Sequence, residues 1–195
     1  MTSRRTPGER AGLTQADVIA AARALLAERG LNGLSMRSVA HRLEVAPNTL
    51  YSHVSDKSAL LDAVLNDLVG EIPLAPRTLP PREGLETIML DSFDTLVRYP
   101  DLVAVSLARQ GSGGPEAWRL GTRMLEHLAD AGIGEQDARD DLRVLLTHLM
   151  GCAAFATQSD PVARSAVTTI ASVRSDYAIA LGWLLDGMLR EGGTR

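Results

Sequence analysis

Residues 35–57 read SMRSVAHRLEVAPNTLYSHVSDK, and this stretch decides the fold. Val39, Ala40 and Leu43 recur at three- and four-residue spacing in its first part. That spacing predicts a short helix with one apolar side, because residues three and four apart share a side of an α-helix. Ser35 precedes the pattern and is the expected N-cap. The stretch therefore begins with a helix that must pack against a neighbour.

A second helix is predicted to start at Pro47, since proline fixes φ and lacks only an N–H that would have no partner in a first turn. Leu50 and Val54 are expected to face inward. The outward positions are polar or aromatic, and they comprise Asn48, Thr49, Ser52 and His53, with Tyr51 at the edge. A helix-turn-helix places the start of its second helix in the major groove of DNA, where Asn, Thr and Ser can bond base edges. These residues predict a base-reading surface.

The longer run LSMRSVAHRLEVAPNTLYSHVSDKSALLDAVL resembles the amino-terminal DNA-binding domain of the tetracycline-repressor (TetR) family of transcriptional regulators. Its core is Thr-Leu-Tyr-x-His-Val-x-x-Lys, and the similarity covers residues 14–70. The resemblance implies an all-α protein, with an N-terminal helix-turn-helix domain and a C-terminal helical domain for ligand binding and dimerisation. The expected contacts to operator DNA come from Arg37, Pro47, Asn48, Thr49, Tyr51, His53 and Lys57.

The sequence departs from the family pattern at two positions. Glu44 stands in the turn where the family commonly has glycine, and a left-handed residue there would strain glutamate by about 1 kcal/mol. We therefore expect a slightly different turn. Ala46 stands where serine or threonine commonly caps the second helix. Neither departure removes a proposed contact.

Composition bounds the remaining possibilities. The chain has 195 residues, of which 45% are hydrophobic and 4% aromatic, and it shows little β-type alternation. An all-helical protein of one large or two small domains is expected. A single cysteine excludes an internal disulfide framework. Because no N-terminal apolar stretch resembles a signal peptide, we expect the protein in the reducing cytoplasm.

Charge is distributed unevenly along the chain. The formal net charge is −4, but residues 1–57 carry 8 Lys/Arg against 5 Asp/Glu, whereas residues 58–195 carry 12 against 19. A basic N-terminal part on an acidic body suits a DNA-binding domain attached to a regulatory domain.

Three segments are expected. Residues 1–13 lack periodicity and predict a flexible arm, either solvated or inserting Arg4, Arg5 or Arg10 into a minor groove. Residues 14–70 form the DNA-binding domain and a connecting helix. Residues 71–195 form the body, since the prolines that follow Ile72 break the helical pattern.

Helix ends in the DNA-binding domain carry their own signals. Thr14 and Asp17 predict a capping box for the first helix, and Gly30 predicts its end. Ser55 is the expected cap of the connecting helix, in which Leu60 and the apolar residues after it make a long buried face.

The body repeats helical patterns, and its methionine and aromatic side chains suggest a cavity for a small apolar ligand. The candidate pocket residues are Met89, Phe93, Trp118, Met124, His148 and Phe155. An alternative interpretation, more common for each residue alone, is ordinary core packing.

The last two long helices have apolar residues on more than one side, which favours a covering twin subunit. In the family, the carboxy-terminal helix pair forms a four-helix bundle across a two-fold axis. The candidate interface residues are Leu146, Met150, Tyr177, Leu181, Trp183 and Leu184.

Enzymatic signatures are absent from the sequence: it has no phosphate-binding glycine loop, no GxSxG and no metal-spaced histidine pair. No enzymatic activity, cofactor or metal is therefore expected. His41 and His127 are interpreted as solvent-side residues and His148 as a core residue. Cys152 is interpreted as a small core residue, with a redox role as the minor alternative.

These features predict a sequence-specific DNA-binding regulator, most simply a dimeric repressor that a small molecule releases from a palindromic operator. Two alternatives are a DNA-binding regulator without an effector, and a helical scaffold or enzyme that reuses the helix-turn-helix module. Only the DNA-binding alternatives predict a steep fall of duplex affinity with salt. No membrane association is expected.

Overall fold

The computed structural model describes residues 12–108, 114–157 and 169–190, and within them the chain forms helices and no strands. The predicted all-α fold is confirmed. The helices are α1 (Gln15–Gly33), α2 (Met36–Arg42), α3 (Pro47–Leu50), α4 (Lys57–Gly70), α5 (Pro81–Val97), α6 (Pro100–Ala108), α7 (Pro115–Asp130), α8 (Glu135–Ala156) and α9 (Ile170–Arg190). Arg4, Arg5 and Arg10 of the predicted arm lie outside the described residues.

Internal contacts divide the chain into two compact units, and the division falls between Asp67 and Leu68. The sequence predicts a domain boundary three residues later, after Gly70, and that boundary stays a prediction. Among the described residues, no helix combines the length and the apolar character needed to cross a bilayer.

Capping residues define the helix starts in the first unit. The Thr14 hydroxyl accepts from the Asp17 N–H at 3.2 Å while the Asp17 carboxylate accepts from the Thr14 N–H at 2.8 Å, so the predicted capping box is present. The Ser35 hydroxyl accepts from the Ser38 N–H at 3.0 Å, as predicted for the cap of α2.

The predicted cap of α4 was wrong by one residue. Asp56, rather than Ser55, accepts the free N–H of Ala59 at 2.8 Å. Because α4 begins at Lys57, Asp56 occupies the N-cap position, where a carboxylate is also favoured by the positive end of the helix dipole.

The turn between α2 and α3 keeps a left-handed residue, although the residue is not glycine. Glu44 has φ 55°, and the Val45 N–H donates to the Ala40 carbonyl at 3.0 Å while the Glu44 N–H donates to the His41 carbonyl at 3.2 Å. This pair of bonds is a Schellman motif, which requires the positive φ. The expected difference in the turn is therefore not seen, and Glu44 carries the strain instead.

Glycine at position 44 should relieve that strain. We expect Glu44→Gly to be more stable than Glu44→Ala by about 1 kcal/mol in urea unfolding, because both remove the same side chain but only glycine adopts positive φ freely. Equal stabilities of the two variants would show that Glu44 is not strained.

In the second unit, α5 packs against α6, α7, α8 and α9. Its buried side includes all the residues that the sequence predicts, namely Leu85, Ile88, Met89, Ser92, Phe93 and Leu96, and also Gly84 and Thr95. The Tyr177 ring stacks on Phe93 with centroids 4.8 Å apart, and its hydroxyl donates to the Met89 carbonyl at 3.1 Å. His148 stacks on the same tyrosine at 5.0 Å. Three nearly parallel rings therefore connect α5, α9 and α8.

Candidate nucleic-acid interface

The second helix of the helix-turn-helix is anchored from beneath. Leu50 is fully buried and Val54 is 5% exposed, as predicted. Pro47 occupies the first turn of α3, and the N-cap residue Ala46 makes no side-chain capping bond. The N–H groups of His53 and Val54 both donate to the Leu50 carbonyl at 2.9 Å, which continues the helical turn beyond α3. This anchoring turns the intervening side chains away from the core.

The structure leaves the predicted DNA contacts accessible. Five of them are exposed, namely Arg37, Pro47, Asn48, Tyr51 and Lys57, and two are half-buried, namely Thr49 and His53. Asn48 offers both a donor and an acceptor at the start of α3, the position that reads base edges in a helix-turn-helix. The Ser52 hydroxyl donates to the Thr49 carbonyl at 2.7 Å, so its proton is already used in a bond within the same turn.

Among the described residues of the first unit, two arginines are paired with carboxylates and other cations are not. Arg23 pairs with Asp67 at 2.6 Å and Arg42 pairs with Glu28 at 2.8 Å. Within the described part of the chain, Arg37 and Lys57 make no ion pair. The paired arginines tie the helices together, whereas the unpaired cations remain available for phosphate groups.

One residue that supports this surface was not predicted from the sequence. The Gln15 amide, in the first turn of α1, donates to the His53 carbonyl at 3.4 Å. No local signal indicates the bond, because its partners are 38 positions apart. The contact connects the start of α1 to the end of the turn that carries His53.

The candidate pocket residues do not lie together. Met89, Phe93 and Met124 are at most 1% exposed and belong to the core, and His148 is half-buried beside Tyr177. The remaining two, Trp118 and Phe155, are 74% and 56% exposed and do not face the interior of this protomer. The core members could border a ligand, but the exposed two could not do so from inside.

The candidate dimer residues divide in the same way. Tyr177 and Leu181 are fully buried within their own protomer, so their assignment to the interface was wrong. Their side of α9 packs against α5 and α8. Leu146 and Trp183 are exposed, and Met150 and Leu184 are half-buried. The outer sides of α8 and α9 carry further exposed apolar residues, namely Val144, Phe155, Ile170 and Ile179.

Of the histidines, His41 is exposed as expected, but His127 is fully buried, so its solvent-side interpretation was wrong. His148 does not have the full set of hydrogen bonds expected of a core histidine, since its Nε2 is buried without a partner.

Cys152 Sγ lies 3.7 Å from His148 Nδ1. Burial raises the pKa of the Cys152 thiol, which argues against a reactive thiolate. No metal-binding group of three or more His, Cys, Asp or Glu residues occurs among the described residues.

Comparison with known proteins assigns the first unit. Residues 18–64 match the family model of the bacterial regulatory proteins of the tetR family. An HTH-type transcriptional regulator of Saccharopolyspora erythraea is 34% identical over 126 residues, which cover 64% of this chain and 53% of that protein. The match thus spans about half the length of that relative.

Two solved structures resemble the chain over nearly its whole length. ActR of Streptomyces coelicolor in complex with actinorhodin has a TM-score of 0.82 at 21% identity, covering 94% of this chain and 99% of that one. BioQ with its natural double-stranded DNA operator has a TM-score of 0.71 at 24% identity, covering 92% and 99%. At these identities the likeness establishes the fold. Residues 18–64 therefore form a DNA-binding domain of the tetR family of bacterial regulatory proteins, on a chain whose overall fold is that of ActR and BioQ.

Proposed function

We propose that the chain is a homodimeric transcriptional repressor, which binds a palindromic operator through α2 and α3 and leaves it when a small molecule binds the helical body. One observation carries the proposal: α3 is fixed by buried Leu50 and Val54 while Asn48, Tyr51 and Lys57 remain exposed around it. A protein that acts on DNA is expected in the cytoplasm.

Contacts on this surface have separate roles. Asn48 can bond the N6 and N7 edge of adenine, and the Thr49 methyl group can contact the methyl group of thymine. Tyr51, His53 and Lys57 are assigned to phosphates, which set register without reading sequence. Arg37, in the first turn of α2, adds a further phosphate contact.

A single short helix reads only a few base pairs, so a two-fold dimer supplies the missing specificity. The exposed apolar residues of α8 and α9 support such a dimer. Leu146, Trp183 and Ile179 are 40%, 71% and 51% exposed, which is costly for a surface that stays in water.

Two proteins of the same fold support the proposed binding of a small molecule and of DNA. ActR binds actinorhodin and BioQ binds an operator duplex on the same fold. A ligand releases DNA only if it binds the released state more tightly than the bound state, by a few kcal/mol for a complete switch. The residues of the body imply neither tetracycline nor magnesium as the ligand.

Selection of duplexes from a random pool by the purified full-length protein tests the DNA-binding function. We expect a symmetric site whose affinity falls steeply with salt. Asn48→Ala should lose about 1–3 kcal/mol on that site and relax its preference at one base pair of each half. Lys57→Ala should weaken all duplexes alike and reduce the salt slope.

Arg139→Ala is the matched charge control, because it removes a cation from the exposed part of α8, where Arg139 pairs with Glu135. It should bind as the parent does. Equal affinity of the parent for scrambled and selected duplexes, or undiminished binding by both Asn48→Ala and Lys57→Ala, would contradict the proposed function.

A further inference from the structure

His127, in the last turn of α7, is an unusual histidine. It is fully buried, and neither ring nitrogen has a hydrogen-bond partner. Its ring lies directly against Gly84 in the first turn of α5, where a Cβ atom would overlap all three ring atoms nearest to it. The ring therefore occupies the space that any side chain at position 84 would need. Neither nitrogen makes a hydrogen bond of ordinary length and angle, although the Ala75 backbone lies near enough to favour the protonated ring. Packing is therefore the main support of the ring.

The segment between α4 and α5, residues 71–80, passes along α7 and is called the connector here. Arg119 donates to the Ile72 carbonyl at 3.3 Å, and Arg123 donates to the Ala75 carbonyl at 2.5 Å. Arg77 of the connector binds Asp130 through two hydrogen bonds of 2.7 and 2.8 Å. Positions 119, 123 and 130 follow one side of α7. Three arginines thus fasten the connector to the helix that carries His127.

The carboxylates near the ring already have partners. Asp130 is bound by Arg77, and Glu126 accepts from Arg123 at 2.9 Å. From α5, the ring meets a glycine with no side chain. A proton on His127 would therefore place a second cation near Arg123, and the two nearby carboxylates, Asp130 and Glu126, are already bound by arginines.

We propose that His127 is an acid-sensitive switch: uptake of a proton by the imidazole releases the connector from α7 and thereby weakens operator binding. The second step rests on the proposed function, whereas the first is a property of the body alone.

The direction of the effect follows from the surroundings of the ring. Burial, and after it the charge of Arg123, lowers the pKa of His127, while Asp130, the backbone of Ala75 and Glu126 act in the opposite direction. A histidine whose pKa is lowered in the closed state binds its proton more readily when exposed. The closed state is therefore favoured above the ordinary histidine pKa of about 6.5 and loses stability as pH falls below it.

The connector is placed to transmit this change. It begins directly after Gly70, the last residue of α4, and α4 starts at Lys57, the proposed phosphate contact. A helix moves as a rigid element. Once the connector is released, the C-terminal end of α4 can shift, and Lys57 at the other end of the helix can then leave the position that DNA binding requires.

Hydrogen exchange of the full-length protein between pH 7.5 and 5.5 tests the first step. The reporters are the amides of Ile72 and Leu79, which donate to the Val69 and Pro76 carbonyls at 3.1 and 3.0 Å. After correction for intrinsic rates, opening that takes up one proton should accelerate exchange by about tenfold per pH unit below pH 6.5. In His127→Gln, and in the apolar His127→Leu, the corrected rates should not change with pH.

His41→Gln is the matched control, since it removes an exposed histidine and should keep the parent slope. The switch would be overturned if the corrected exchange rates of the parent did not change with pH, or if both His127 variants showed the same pH dependence of exchange as the parent. For the second step, lowering the pH should reduce the affinity for the selected duplex more in the parent than in His127→Gln. Both proteins retain His53, so any effect of that histidine on DNA binding is common to them. Equal falls would overturn the effect on DNA. Failure to select any duplex would instead count against the proposed function, while the exchange slope would still decide the first step.

Discussion

A Trp183→Asp variant is expected to be a monomer and to lose operator binding. Trp183 is 71% exposed on the outer side of α9, next in sequence to half-buried Leu184. A large aromatic side chain at the centre of a dimer interface contributes about 2–4 kcal/mol, which is roughly a 30- to 1,000-fold change in dimer dissociation. A carboxylate buried at the same place adds a desolvation cost.

Trp118→Asp is a closely matched control. Trp118 is 74% exposed, but it lies in the first turn of α7 rather than on α8 or α9. It should remain dimeric and bind DNA as the parent does. Sedimentation at micromolar protein and titration of the selected duplex measure both properties. A dimeric Trp183→Asp protein, or a monomeric Trp118→Asp protein, would show that the proposed interface is wrongly placed.

A Tyr177→Ala variant is expected to lose most of the stability of the second unit. Tyr177 is fully buried, lies between Phe93 and His148, and donates to the Met89 carbonyl. Truncation of a buried aromatic residue to alanine costs about 3–5 kcal/mol, because the stacked rings on both sides lose their contacts to a cavity. Burial also raises the pKa of Tyr177, so its hydroxyl stays a donor at all physiological pH values.

Tyr177→Phe separates the ring from the hydroxyl and should cost only about 1 kcal/mol. Urea unfolding followed by tryptophan fluorescence reports on the right unit, since both tryptophans of the chain lie in the second one. A loss below 1 kcal/mol in Tyr177→Ala would mean that the ring stack does not hold the body together.

The helix-turn-helix could be predicted nearly completely because its signals are local. Ser35 caps α2, Pro47 opens α3, and Leu50 and Val54 are buried where the three- and four-residue spacing places them. Each signal acts within about one helical turn, so no knowledge of distant residues is needed. Three local predictions differ from the structure: α4 is capped by Asp56 rather than the adjacent Ser55, α1 runs past a kink at Gly30 to Gly33, and the turn at Glu44 keeps the left-handed geometry.

Side-chain burial in the body was not predictable in the same way. His127 directly precedes the buried Leu128 on α7 and would be a solvent-side residue if α5 did not present Gly84 to it. Likewise, Tyr177 and Leu181 are buried where α9 packs against α5 and α8 of the same protomer.

The sequence by itself thus predicted the helices and the tetR-family domain of residues 18–64, since caps, proline geometry and apolar spacing act between neighbours along the chain. Only the tertiary structure decided which apolar side of α8 and α9 remains exposed, that Gln15 holds the carbonyl of His53, and that His127 is enclosed without a partner. The last two of these outcomes depend on residues far apart in sequence, such as Gln15 and His53, which are 38 positions apart and come together only when the helices pack.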